Sequence, residues 1–187
     1  PLMIAPLLSE RAKHYKELTG NTINVRIGDL SNAEFTFSVF KETIPDSVIH
    51  YAEQPSAPYS MRGFNEAKLT LDNNLRVTFN CIWATKEIVP NAHIIKLGTM
   101  GEYGTPNIDI EEGWIDIKHN GRSDKFLFPR AAGSLYHTTK VLDTDLLWFY
   151  VRNYNLRVTD LMQGPVYGIK TAESVFDLRL TPTFNYD

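Results

Sequence analysis

The chain has one cysteine, Cys81, so no internal disulfide can form. Low cysteine usage favours a reducing compartment, and the expectation is a cytoplasmic protein, or a chloroplast one if the source is a plant or alga. No apolar run is long enough to span a membrane, and residues 1–8 lack both the basic start and the cleavage pattern of a signal peptide. Positive charge is not in excess either. Lys and Arg number 19 against 22 Asp and Glu, and no basic run is interleaved with aromatics, so nucleic acid is not an expected partner. The five histidines, at 14, 50, 93, 119 and 137, never take a ligand spacing with cysteine or carboxylate, and no metal site is expected. Cys81 itself lies in an apolar helical pattern and reads as a buried structural thiol.

What remains is a hydrophobic fraction of 43%, enough for one domain with a real core. Helical and strand patterns alternate along it. Residues 9–18 read as a helix capped by Ser9 and closed by Gly20, and residues 23–27 alternate as a strand would. Ser31 is the expected N-cap of a helix to about Thr43, with Glu34 three residues on, and residues 47–50 form a short buried strand. A loop over 54–62 leads to a long helix over about 64–88, which Pro90 stops, and residues 93–97 form the next strand. A hairpin follows, with strands at 114–119 and 125–128 and a turn at Asn120-Gly121, then a helix holding Tyr136 and Lys140, then a strand over 156–161.

Strands separated by helices, with short apolar centres, predict an α/β fold with a doubly wound parallel sheet covered on both faces. Ligands of such sheets bind beyond the carboxyl ends of the strands. Asp29, residues 50–54, residues 98–102 and residues 163–167 each follow a predicted strand directly, which marks one sheet edge as the site.

Tyr136 and Lys140 are four residues apart on a helix and share one face. An ammonium near a phenol lowers its pKa from about 10 toward neutrality, which makes Tyr136 a candidate general base. Thr99, at the end of the strand over 93–97, offers a hydroxyl that could share the substrate's proton.

Around this pair the sequence carries Gly28-Asp29, Asp46-Ser47-Val48, Glu53-Gln54, Ser56-Ala57-Pro58-Tyr59-Ser60-Met61, Asn73-Asn74 and the long run from Lys96 to Ile110. It also carries His119-Asn120-Gly121-Arg122, Tyr136-His137 with Lys140, and Arg157-Val158-Thr159-Asp160 through Gln163 and Val166-Tyr167-Gly168. On these residues the chain resembles the extended short-chain dehydrogenase/reductase superfamily of nucleotide-sugar epimerases and dehydratases. Within it, the chain is similar to the UDP-sulfoquinovose synthase subgroup, which makes a sulfonated sugar nucleotide from UDP-glucose and sulfite.

The resemblance implies a Rossmann-like fold and NAD as a cofactor regenerated in each turnover. It implies oxidation at C4 of the glucose ring, loss of water across C5 and C6, addition of sulfite at C6, and re-reduction at C4. Tyr136 would take the C4 hydroxyl proton, Lys140 would hold down the tyrosine's pKa and bind the nicotinamide ribose, and Thr99 would bond the same oxygen. Ordinary dehydratases place an aspartate and a glutamate after that threonine, where this chain has Met100 and Gly101. Acid and base work at C5 and C6 is therefore assigned to His137 and Glu102. The alternatives are a packed helix residue for His137 and a salt-bridged loop carboxylate for Glu102.

By the same resemblance Asp29 and Leu30 lie beside the adenine, although Asp29 also reads as a capping aspartate. Tyr51, Ala52 and Glu53 run along the dinucleotide, and Asn74 supports the helix of Tyr136. Gln54, Ser56, Tyr59 and Met100 line the sugar pocket, Gln163 and Tyr167 approach the sugar or phosphates, and Arg122 approaches the sugar or sulfite. A homodimer through the Tyr136 helix is expected from relatives.

No glycine-rich turn, the usual seat of a pyrophosphate, precedes Gly28. The expectation is therefore that residues 1–187 form a partial dinucleotide-binding domain, a central fragment lacking the first βα unit and the C-terminal substrate domain, whose substrate region begins near 164–187. An open sheet edge where a first strand would pair predicts poor solubility or a need for a partner. Two alternatives stand beside the synthase: another nucleotide-sugar dehydratase or epimerase, and a non-enzymatic dinucleotide-binding or scaffold protein.

Overall fold

The computed structural model describes residues 8–111 and 113–164, and the chain divides into two units, residues 28–164 and the residues flanking them. In the flanking unit α1 (Leu8–Thr19) is closed by Gly20 at φ +75°, whose N–H bonds the Lys16 carbonyl at 2.9 Å. Residues 23–27 form no strand. Ile27 is 89% exposed and, among the described residues, no strand pairs with this segment. Alternation of side chains becomes a strand only when a neighbouring backbone supplies the ladder.

The larger unit runs α2 (Ala33–Thr43), β1 (Ser47–His50), α3 (Ala57–Ser60), α4 (Phe64–Ile88), β2 (His93–Thr99), a 3-10 turn (Met100–Tyr103), β3 (Trp114–His119), β4 (Arg122–Leu127), α5 (Leu135–Tyr154) and β5 (Arg157–Gln163). Strands β1, β2 and β5 form a parallel sheet in that order, so the architecture is α/β as the sequence predicts. Strands β3 and β4 form a separate antiparallel hairpin, turned by Asn120 and Gly121 at φ 48° and 74°.

Local chemistry sets the helix ends. The N-cap of α2 is Asn32, one residue past the expected Ser31, because its side chain reaches the Phe35 N–H at 3.1 Å. Ser56 caps the short α3 by accepting from the Tyr59 N–H, within a segment expected to be all loop. The 25 residues of α4 span about 38 Å, and its inward stripe, Thr70, Asn74, Val77, Thr78, Cys81, Ile82 and Thr85, recurs at spacings of one, three and four residues. Cys81 is buried, and burial pushes its thiol pKa up to about 12, so it is an inert core residue.

Register places Val48, Ile94 and Val158 side by side across the sheet. Phe40 and Ala84 pack near Val48, while Ile82, Leu147 and Tyr150 pack on Ile94, so α2, α4 and α5 all meet this one face. Ile82, Ile94 and Leu147 are at most 2% exposed, and each contributes about 1.5–3 kcal/mol by burial. Two residues further on, the same face carries His50, Lys96 and Asp160, so the interior changes from apolar to charged toward the carboxyl ends. The opposite face, with Ile49 (59% exposed), Ile95, Leu97 and Leu161 (41% exposed), receives none of these helices, so within this unit the expected cover is found on one face. No described helix is long and apolar enough to cross a membrane.

Candidate active site

The carboxyl ends of β1, β2 and β5 and the first turns of α5 bring most of the predicted residues together. Thr99 ends β2, pairs in register with Gln163, and caps the 3-10 turn by accepting the Gly101 N–H at 3.1 Å. Met100 is 57% exposed, and its sulfur would lie 3.1 Å from a Cβ built on Gly164. Gln54 and Asn74 clasp one another: the Gln54 N–H donates to Asn74 Oδ1 at 2.8 Å, and Asn74 Nδ2 lies 3.3 Å from the Gln54 carbonyl. Asn74 Nδ2 also donates to Thr139 Oγ1 at 3.0 Å, and Thr139 donates to the Tyr136 carbonyl at 2.7 Å. This chain of bonds ties the loop after β1 to the backbone that carries Tyr136.

The start of α5 is held by residues to which the sequence reasoning gave no role. The Leu135 N–H meets Met61 Sδ at 3.5 Å, the Tyr136 N–H donates to Ser60 Oγ at 3.0 Å, and the His137 N–H donates to Ser134 Oγ at 3.2 Å. These are the orphan donors of a helix N-terminus, each satisfied by a side chain. Ser134 could have been found from its spacing, three residues before His137 at a helix start, whereas Ser60 comes from 76 residues away.

The Tyr136 and His137 rings lie 5.1 Å apart between centroids, and Lys140 Nζ stands 5.8 Å from the Tyr136 centroid. Lys140 donates to the Leu97 carbonyl at 2.7 Å and pairs with Glu53 Oε2 at 2.8 Å. The Glu53 side chain is only 2% exposed and also lies 3.2 Å from His50 Nε2, which in turn is 2.9 Å from Thr78 Oγ1. Glu53 was expected along the dinucleotide. Its carboxylate instead turns inward as the counter-ion of Lys140. Burial works against its charge, yet the His50 hydrogen bond and the Lys140 ammonium outweigh that and hold its pKa below the usual range. For buried Asp143, one turn beyond Lys140, burial and then the Glu53 charge push the pKa well up. The two shifts run in opposite directions, Glu53 toward the charged form and Asp143 toward the protonated one.

Glu102, expected as an acid or base, is fully buried. Its oxygens lie 3.2 Å from Lys96 Nζ, 3.3 Å from Arg130 Nε and 3.0 Å from Thr144 Oγ1. Lys96, also 0% exposed, contacts Asp160 at 3.3 Å and donates to Thr144 at 2.8 Å and to the Lys140 carbonyl at 2.9 Å. Burial opposes the Lys96 ammonium, but Asp160 and Glu102 lift its pKa above its ordinary value. A carboxylate with no exposed atom and three partners has no path to a substrate, so the salt-bridge reading of Glu102 replaces the acid/base one. Gly98 leaves the space for this cluster: a Cβ there would stand 2.5 Å from Asp160 Oδ1 and 3.2 Å from Glu102 Oε1.

His137 is placed differently. A Cβ on Gly101 would stand 2.5 Å from His137 Cδ2, 2.9 Å from Cε1 and closer still to Nε2, so the ring occupies the space a side chain at 101 would fill. Burial lowers the His137 pKa, which favours the neutral imidazole.

The remaining candidates are less concentrated. Tyr51, 71% exposed, and Ala52 stand open at the end of β1. Ser56 receives from Tyr59 as the α3 cap, and its own N–H donates to Gln54 Oε1 at 2.9 Å. Asp29 is exposed and accepts the Ser31 N–H at 2.8 Å, the capping use of an aspartate, and that bond lowers its pKa. The Leu30 carbonyl accepts from Asn80 and Thr36. Arg122 is exposed at the hairpin turn and is not brought to the others. Tyr167 lies outside the described residues. Two cavities, of about 620 and 580 Å³, lie between the hairpin and α5, around Trp114, Leu127, Arg130 and Trp148. Neither is lined by Thr99, Tyr136, His137 or Lys140.

Residues 6–185 match the NAD dependent epimerase/dehydratase family. The chain belongs to that family. It is 46% identical over 180 residues to the chloroplastic UDP-sulfoquinovose synthase of Spinacia oleracea, covering 96% of this chain and 37% of the relative. It is 44% identical over 183 residues to the UDP-sulfoquinovose synthase of Sulfolobus acidocaldarius, covering 97% of this chain and 46% of the relative. The chain thus spans less than half the length of these two curated relatives. Among solved structures, the UDP-glucose 4-epimerase of Thermus thermophilus in complex with NAD superposes with a TM-score of 0.61 at 24% identity, over 75% of this chain and 40% of that one. The UDP-Glc/GlcNAc 4-epimerase of Campylobacter jejuni gives 0.67 at 16% identity, over 92% of this chain and 47% of that one. At such identities the likeness is one of fold, and the fold is the Rossmann-like one of the epimerase/dehydratase family.

Proposed function

We propose that this chain carries the C4 oxidation site of a UDP-sulfoquinovose synthase, an enzyme that turns UDP-glucose and sulfite into UDP-sulfoquinovose with NAD as a recycled cofactor. The observation that carries the reading is the His137 ring seated on Gly101 beside Thr99 and Met100, in a chain 46% and 44% identical to two synthases of that name. Tyr136, Lys140 and Thr99 act at the C4 oxygen, and His137 acts at C5 and C6. Glu102 is left in the buried ion cluster that anchors the turn.

The residues present fit the nicotinamide end of NAD. Tyr136 and Lys140 lie on the first turns of α5, Lys140 bonds the Leu97 carbonyl near the end of β2, and Tyr51 and Ala52 are exposed after β1. The pyrophosphate end needs convergent backbone N–H groups, and the described residues contain no glycine-rich turn to supply them. Bound there, the dinucleotide supplies reversible hydride transfer at C4. Tyr136 holds or releases the C4 hydroxyl proton, and Lys140 has a third donor left beyond Glu53 and the Leu97 carbonyl. A C4 ketone acidifies the C5 hydrogen, so loss of water across C5 and C6 follows oxidation. Gln54, Ser56, Tyr59, Met100 and Gln163 then border the sugar, Asp29 and Leu30 the adenine, and Arg122 and Tyr167 are kept as substrate contacts. A homodimer through α5 is consistent with the exposed Leu142 and Phe149.

Full-length protein incubated with NAD, UDP-glucose and sulfite should yield a sulfonated nucleotide by mass spectrometry. Without sulfite it should exchange the C5 hydrogen with solvent deuterium. A 4-keto-6-deoxy or C4-epimerised product would instead place the chain with the dehydratases or epimerases, and NAD affinity without turnover would make it a binding protein.

A further inference from the structure

Ser134 holds His137 twice. Its Oγ accepts the His137 backbone N–H at 3.2 Å and lies 3.0 Å from Nδ1 of the same residue. A serine hydroxyl has one hydrogen to give and two lone pairs with which to receive. One lone pair serves the backbone N–H, and among the described residues Nδ1, 3.0 Å away, is the atom within reach of the hydroxyl's hydrogen. A neutral imidazole carries one hydrogen, and a nitrogen that accepts from Oγ cannot be the one that carries it.

We infer that Ser134 fixes the His137 ring with Nδ1 as acceptor and the hydrogen on Nε2, so that His137 serves the reaction as a standing N–H donor to an oxygen gaining negative charge, and not as a base. The inference rests on the proposed function and narrows one role within it. Nε2 is the ring atom nearest the position of a side chain at 101, so its hydrogen emerges beside the turn that Thr99 caps. Two of the ring's neighbours are thereby defined: Ser134 at Nδ1 and the Tyr136 ring at 5.1 Å between centroids. No described carboxylate pairs with the imidazole to draw it into the charged form. A neutral N–H fixed in place before reaction is the kind of donor that stabilises a developing oxyanion without having to reorganise. The oxygen it fits is the one on C6. In the elimination the C5–H bond breaks and its electron pair becomes the C5–C6 double bond as the C6–O bond breaks; the proton passes to the departing hydroxide, which leaves as water, while Nε2 keeps its hydrogen throughout.

The test reads the tautomer directly. Full-length protein labelled with 15N-histidine, without nucleotide, is examined by long-range 1H–15N correlation at pH 8, and the His137 ring is assigned by its loss in His137→Gln. The expected result is a protonated Nε2 and a bare Nδ1. Ser134→Asp retains a capping acceptor, so α5 keeps its start, but a carboxylate can only accept and should pull the hydrogen to Nδ1. With that switch kcat should fall about tenfold or more, the worth of one hydrogen bond, with NAD affinity unchanged. His137→Gln, whose amide offers an N–H near Nε2, should keep part of the turnover that His137→Ala loses. A wild-type ring protonated on Nδ1, or a Ser134→Asp protein whose tautomer does not move, overturns the inference. Because the spectrum needs no substrate, a correct tautomer in a protein that makes no sulfonated nucleotide would sink the proposed function alone.

Discussion

Gly101→Ala is expected to disable the site without disturbing the fold. A methyl at 101 would begin 2.5 Å from His137 Cδ2 and closer to Nε2, against an ordinary contact of about 3.4 Å, so the ring must retreat by about 1 Å. The backbone offers no other obstacle, because Gly101 is not among the glycines at positive φ. The retreating ring loses its 3.0 Å contact with Ser134, and a misplacement of this size costs on the order of 100-fold in rate when a group must meet a reacting atom. Crowding a packed site costs about 1–3 kcal/mol in stability. The assay compares kcat for sulfonated nucleotide with the denaturation midpoint, in full-length wild type, Gly101→Ala, His137→Ala and the double variant. If the ring contact is the cause, the stability cost of Gly101→Ala disappears in the His137→Ala background. A Gly101→Ala enzyme with kcat within about twofold of wild type and an unshifted His137 ring would refute the geometry.

Three further outcomes follow from the buried charges and one glycine. Lys96→Met leaves Glu102 and Asp160 buried without their shared cation and should cost about 3–5 kcal/mol by urea denaturation, most of it recovered when all three become apolar together. Glu53 has a depressed folded pKa, so its contribution is present above its ordinary value of 4.5 and is lost as pH falls through the lower folded value. Glu53→Gln should therefore lower stability at pH 7 and flatten the stability profile below about pH 4.5, and an unchanged acid limb would count against the Lys140 pairing. Gly104 sits at φ +69°, and a Cβ there would fall on the Ala131 carbonyl. Gly104→Ala should lose roughly 1–3 kcal/mol from the backbone alone, and a thermal midpoint equal to wild type would show that this turn is not rigid.

Most elements of the larger unit could be read from the chain because their signals are local. Residues 47–50 and 64–88 form β1 and α4 as expected: one is a short apolar run before Tyr51, and the other is a long helical pattern ended by Pro90. The errors lie where partners decide. Residues 23–27 alternate well but have no strand beside them among the described residues, and α3 is a single turn whose cap, Ser56, is held by a loop glutamine. Strand β2 runs two residues past its expected end, because Gly98 and Thr99 pair with Met162 and Gln163 of β5, a contact that the local sequence does not show.

The site was legible in its residue types and less so in the directions they point. Tyr136, Lys140, Thr99 and Gln163 were named from spacing and strand ends, positions that local periodicity can place, and His137 was named from the resemblance. Glu53 was placed along the dinucleotide by the resemblance, and Glu102 was given acid or base work because it follows Met100 and Gly101, where dehydratases carry their elimination pair. What turns both inward is a cation from another segment, Lys140 for Glu53 and Lys96 for Glu102. The pleat explains the second case. Lys96 and Gly98 share the helix-facing side of β2, so the lysine and the space left by the glycine fall under the same patch of α5, where Thr144 and Asp160 complete the cluster. Glu102 therefore anchors the far end of the 3-10 turn whose near end is Thr99, and between those two fixed points lies Gly101, under the His137 ring. The segment 96–102 thus joins the buried ion cluster to the turn that Thr99 caps. Substitutions at 96 or 102 should reduce stability first and turnover only through movement of Thr99, whereas those at 99 or 101 should do the reverse.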